Sequence, residues 1–142
     1  MNVYVIGVAT HAAATAERSL RLEEMAYRTS RAALDDAQVT RAQLDHLTIG
    51  ACDELDGRPI SSMLMAAPAG GFLTDEMKVA DSGAMALCLG VARMLTGEFH
   101  LGLVCSWCKT SKTNVDAVMR LRGDPFFSCR SLRASTSAPF AQ

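Results

Sequence analysis

Cys105-Ser106-Trp107-Cys108 places two thiols at the spacing that elsewhere marks a redox pair or half of a structural zinc site. Zinc needs a second Cys/His pair, and none stands at a suitable distance in the sequence. A thioredoxin-like pair precedes a helix, whereas this one lies in an apolar strand-like run, so packed thiols are expected. His11, His46 and His100 are widely spaced, share no metal-ligand spacing, and are expected at the surface or at strand edges. Gly70-Gly71 and the segment GVATHAAATAE hint at phosphate binding. Neither completes G-x-G-x-x-G or a Gly-Lys-Ser/Thr loop, and nucleotide binding gains little support. Met63, Met65, Met77, Met85 and Met94 are expected to fill core or interface gaps, the sharper alternative being a substrate channel.

The elements that would position these groups alternate. Tyr4 to Ala9 is a β-branched apolar run that predicts a buried first strand. From Leu22 to Ala37, Leu22, Met25, Ala26, Thr29 and Ala33 share one helical face, which predicts an amphipathic helix. Leu44 to Gly50 reads as a second strand opening into the loop CDELDGRP. In PISSMLMAAPAGGFL a short helix is stopped by Pro68 and Gly70-Gly71. Glu76 to Ala80 is a short strand, Asp81 or Ser82 caps a helix over Gly83 to Thr96, and Gly97 closes it. Leu101 to Trp107 is a further strand, and residues 112 to 142 form an irregular tail. Such alternation predicts an α/β fold, a mostly parallel sheet with helices on its faces, in a single domain over residues 1 to 142.

A chain of 142 residues with 49% hydrophobic and 20% charged side chains is long enough to bury one core. Its 14 basic and 15 acidic residues nearly cancel and form no basic stripe, which argues against nucleic acid as a partner. There is no apolar run long enough to span a membrane, and the amino terminus lacks the charged flank of a signal peptide. A cytoplasmic location with reduced thiols at Cys52, Cys88, Cys105, Cys108 and Cys129 is therefore expected. The helix AMALCLGVARML carries a single charge, Arg93, and demands burial on several sides. One sheet covers only one of them, so a second domain, a second chain or residues absent from this sequence are expected over the other.

The order strand, cap, small-residue turn, apolar helix in KVADSGAMALCLGVARMLTGEFHLGLVCSWCKTSK resembles the nucleophile region of the thiolase superfamily. The matching residues are Ser82, Gly83, Ala86, Ala92, Gly97, Leu103, Val104, Lys109 and Ser111. YVIGVATH and AYRTSRAALDDAQVTRAQLDHLTIG are similar to that family's opening strand, first helix and second strand. The resemblance covers roughly residues 1 to 127, but only the first half of the family's pattern, and is nearest to sterol-carrier-type thiolases and their aldolase and acyltransferase relatives.

The resemblance implies a thiolase-like amino-terminal half-domain and carbon–carbon bond cleavage or formation on a coenzyme A thioester, with no covalently bound cofactor and no metal. It also implies a homo- or hetero-oligomer with a thiolase-like or accessory subunit. The family's nucleophilic cysteine falls at Ala80, which cannot form an acyl thioester. Cys88 is the nearest thiol and is expected to pack inside the helix. Ser82 and Asp81 are the remaining candidates, Ser82 as nucleophile or simple N-cap, Asp81 as general base or as a charge favoured by the helix dipole. The family's catalytic histidines and second cysteine belong to later motifs that the sequence does not contain. Two roles follow: part of a lyase or acyltransferase that works without the cysteine, for instance by retro-aldol cleavage, or a non-catalytic subunit that completes an assembly.

Overall fold

A computed structural model describes residues 2–14, 16–57, 60, 62–80 and 82–123. Its centre is a three-stranded sheet in the order β2-β1-β3, built from β1 (His46–Ala51), β2 (Asp75–Ala80) and β3 (Gly102–Ser106). All pairings are parallel, with His46 opposite Asp75 on one side and Gly102 on the other. All six residues of β1 are buried, as a central strand covered on both faces requires.

Parallel strands need helical crossovers. The crossover from β1 to β2 carries α2 (Asp53–Asp56) and α3 (Ser62–Ala69); the one from β2 to β3 carries α4 (Gly83–Leu95). Helix α1 (Leu22–Asp36) lies with α3 on one face and α4 on the other. On the first face Leu47, Ile49 and Ala51 meet Leu22 and Ala26 of α1 and Met65, Ala66 and Ala69 of α3. Of the face that α1's periodicity predicts, Leu22 and Ala26 are buried and Met25, Thr29 and Ala33 half-buried, and Ser30, outside that face, is buried as well. Helix α3 ends at Gly70, whose φ of 115° is open to glycine alone, and the N–H groups of Gly70 and Gly71 take the carbonyls of Ala67 and Ala66.

On the opposite face α4 approaches the sheet closely. A methyl group at Gly50 would lie 2.8 Å from the Ser82 carbonyl and 2.9 Å from the Ala86 Cβ. Ala86, Gly90 and Arg93 form the buried side of α4, and the outer side leaves Met85, Leu87, Cys88 and Leu95 exposed. The helix is thus covered on one side by the described residues rather than on several. Cys88, expected as a packed thiol, is exposed because it sits on that outer side.

Three further expectations are corrected. Tyr4 to Ala9 forms no strand, and Tyr4, Val5, Ile6 and Val8 are exposed. An extended run becomes a strand only if another strand accepts its ladder. This run is held instead against the end of α1, where Gly7 fits over Ala33 and Ala37 and the Val8 N–H donates to Asp36. His46 is no surface histidine but 1% exposed in the central strand. Its Nε2 faces the Met94 sulfur at 3.4 Å, and its ring packs on Phe99 with centroids 4.9 Å apart. Finally, the tail contains a helix, α5 (Val115–Arg122), capped by Asn114, whose side chain accepts the Ala117 N–H at 3.1 Å.

Buried charge at the far end of α4 locks the two layers together. Arg93, 6% exposed, donates to the Leu47 carbonyl at 3.1 Å, pairs with Asp75, and lies 4.6 Å from the centroid of Phe99.

Candidate functional site at the carboxyl ends of the strands

Because the strands are parallel, their carboxyl ends gather at one edge, and the crossover that leaves β1 runs to one face while the crossover that leaves β2 runs to the other. In open α/β sheets this divergence creates the crevice where ligands bind. Here β1 delivers Cys52 and Asp53, β2 delivers Ala80 and Ser82, and β3 delivers Ser106 to Lys109.

Ser82 is the N-cap of α4. Its backbone is extended, at φ −133° and ψ 150°, and its hydroxyl accepts the Met85 N–H at 3.3 Å. That is the capping geometry expected from the sequence. Gly83 follows directly against Ser106, where an added Cβ would sit 2.8 Å from the Ser106 hydroxyl. Two serines therefore stand beside the positive end of the α4 dipole. Ala80 closes β2 opposite Ala51 and contributes no reactive group. Asp81 lies outside the described residues.

Around this edge the structure assembles groups that local sequence did not single out. Asp56 is buried, accepting the Trp107 indole N–H at 2.9 Å and the Lys109 backbone N–H at 2.9 Å. Burial pushes its carboxyl above the usual range, against those two hydrogen bonds. The Lys109 ammonium is buried as well and donates to the Leu20 carbonyl, which anchors the loop after β3 to the start of α1. Lys78 pairs with Asp53 across β2 and α2. Cys52 lies between Glu54, which accepts its S–H at 2.9 Å, and Arg122 of α5, which donates to its sulfur at 2.7 Å. The acidic loop DELD after a strand was the one sequence signal for this cluster.

On the α1 side of the same edge a cavity of about 340 Å³ opens between residues 9–17, α1 and the loop after β3, with His11, Glu17, Met25, Cys105 and Trp107 in its wall. His11 and Glu17 meet at 3.6 Å. Glu17 is held well below the usual carboxylate range by the Ser19 hydroxyl and by the backbone N–H groups of Ser19 and Leu20. The Cys-x-x-Cys pair divides: Cys105 is buried and accepts from the Ser30 hydroxyl at 3.6 Å, while Cys108 is exposed rather than packed. Among the described residues no group of three or more His, Cys, Asp or Glu side chains is placed to hold a metal ion, and no helix is long and apolar enough to cross a membrane.

No family model matches this sequence, and no curated protein matches it either. Among solved structures, the chain is similar to 3-oxoacyl-[acyl-carrier-protein] synthase III from Aquifex aeolicus VF5, with a TM-score of 0.58 and 17% sequence identity. The match covers 68% of this chain and 32% of that protein, so the chain spans about a third of the relative's length. At that identity the likeness speaks for architecture alone: a parallel sheet between helices, of the thiolase-like α/β fold.

Proposed function

We propose that the chain is a subunit or fragment of a thiolase-fold protein that acts on acyl-coenzyme A thioesters, cleaving or forming a carbon–carbon bond. The observation that carries this reading is the start of α4, where Ser82, Gly83 and Ser106 converge at the carboxyl edge of the sheet. A thioester carbonyl seated there would meet the positive terminus of α4, which favours a developing oxyanion. The solved relative is, by its title, a synthase for 3-oxoacyl groups on a carrier protein, which supports acyl-thioester chemistry as the class.

Ala80 removes the covalent route that a cysteine would offer. A retro-aldol cleavage needs only a base and oxyanion stabilisation, and Asp81 and Ser82 are the candidates for proton transfer and positioning. The test is turnover of the complete assembly on an acyl-coenzyme A and a β-hydroxyacyl-coenzyme A, with Ser82→Ala and Asp81→Asn variants. A loss of tenfold or more in either variant, on the order expected for a proton-transfer group, supports the reading; unchanged turnover in both removes these residues from the site.

A second reading is favoured by the exposed apolar side of α4 together with Ala80: a non-catalytic subunit that completes a thiolase-like homo- or hetero-oligomer. Co-purification with a partner, and activity that survives every substitution at Ser82 and Asp81, would select it.

A further inference from the structure

We propose that Cys52 and Cys108 form a dithiol site that reacts with low-molecular-weight disulfides and closes into a disulfide across the carboxyl ends of β1 and β3. The pairing of these strands sets each β1 residue opposite the one 56 positions later, from His46 and Gly102 to Gly50 and Ser106. The Trp107 N–H donates to the Gly50 carbonyl at 3.3 Å, carrying the ladder one step beyond β3. Continuing that register brings Cys52 opposite Cys108. Adjacent strands lie about 4.7–4.9 Å apart, within the roughly 4.4–6.8 Å between Cα atoms that a disulfide accepts.

The more obvious partner for Cys108 is Cys105, and geometry argues against it. Residues three apart on an extended chain face opposite ways, and Cys105 is turned toward Ser30 of α1. Cys88 is exposed on the outer side of α4, and no cysteine among the described residues other than Cys52 occupies the register position opposite Cys108.

The two thiols are unequal. Cys108 is exposed, whereas Cys52 is 4% exposed and sits between the Glu54 carboxylate and the Arg122 guanidinium. The Cys108 thiolate attacks one sulfur of the external disulfide and expels the first thiolate. Cys52 loses its proton to hydroxide from the buffer, Arg122 steadies the resulting thiolate, and that thiolate attacks the Cys108 sulfur and expels the second. Two protein thiols are oxidised and one external disulfide is reduced to two thiols. Burial pushes both thiols above their ordinary range, with Asp56 adding to the effect at Cys108 and the Glu54 hydrogen bond at Cys52. Exchange is therefore best measured in mildly alkaline buffer.

The experiment is incubation of the full chain with glutathione disulfide, followed by non-reducing peptide mapping by mass spectrometry. The expected product is an intramolecular Cys52–Cys108 cross-link with no lasting glutathione adduct on either residue. Cys52→Ser should trap glutathione on Cys108, and Cys108→Ser should cut modification of Cys52 by at least tenfold. A cross-link from Cys108 to Cys105 or to Cys129, or a stable Cys108 adduct in the wild-type chain, overturns the proposal. The wild-type map decides even if a variant fails to fold.

Discussion

Asp56 accepts the indole N–H of Trp107 at 2.9 Å, tying the segment after β1 to the segment after β3 across 51 residues. Its other oxygen takes the Lys109 N–H, so Asp56→Ala would leave two donors without their acceptor. The expected loss is about 2–4 kcal/mol, because buried donors bear their desolvation cost when a partner is removed. Urea unfolding followed by Trp107, the sole tryptophan, reads both the midpoint and the native emission. A change of less than about 0.5 kcal/mol, the range of an ordinary surface substitution, would mean that the clamp is inconsequential.

Stability should fall on mild acidification because of His46. Burial and, after it, the Arg93 cation hold this imidazole below its ordinary value of 6.5 in the folded chain. As pH drops below 6.5 the unfolded chain therefore takes up the proton first. The stability linked to His46 is complete above that pH and is lost progressively until the folded-state value is reached. Urea midpoints measured at several pH values between about 7.5 and 5 should decline more steeply for the wild type than for His46→Gln. Parallel slopes would count against a neutral buried histidine.

The same ring fills the space over Gly102, where an added Cβ would lie 1.9 Å from Nε2. Gly102→Ala should destabilise by about 1–3 kcal/mol through overpacking. In a His46→Ala background the penalty should shrink, giving a coupling of about 1 kcal/mol in a double-mutant cycle. Strict additivity would show that the two positions do not compete for that volume.

Ser82→Ala should cost about 1 kcal/mol from the lost cap of α4, and Ser82→Asp should retain most of it. Thermal unfolding of the isolated chain measures this apart from any catalysis. An effect on turnover larger than the stability loss explains would point to contact with substrate.

Met85→Lys and Leu95→Lys place charges on the exposed side of α4. Each should change the isolated chain's stability by no more than about 0.5 kcal/mol, as surface substitutions generally do. Under the proposed assembly both should prevent co-elution with the partner on size exclusion. A wild-type chain that is a stable monomer and captures nothing would sink the assembly itself.

Helix α4 and the two strands around it were legible because their signals are local: Ser82 caps, Gly97 stops at φ 79°, and the apolar runs on either side have strand length. The run from Tyr4 to Ala9 carries the same local signal and yet pairs with no strand among the described residues, since β-propensity does not name a neighbour. His46 looked peripheral because Asp45 was its only visible company; Phe99, Met94 and Arg93, which surround it, arrive about 50 residues later in the chain. Ser82 was found in the sequence as a cap. Asp56, Cys52 and Arg122 were not found at the same edge, because only strand register and the packing of α5 bring them together.

The parallel order also sets the timing of assembly. His46 finds its partners 29 residues downstream at Asp75 and 56 residues downstream at Gly102, and no hairpin joins any two of the three described strands. Long loops must close before any ladder rewards them, which slows folding. At about 5–20 residues per second of synthesis, β1 waits roughly 3–11 s for β3 to be made. During that interval the edge of β1 that takes β3 has no mate, and a chaperone or a neighbouring nascent chain has first access to it.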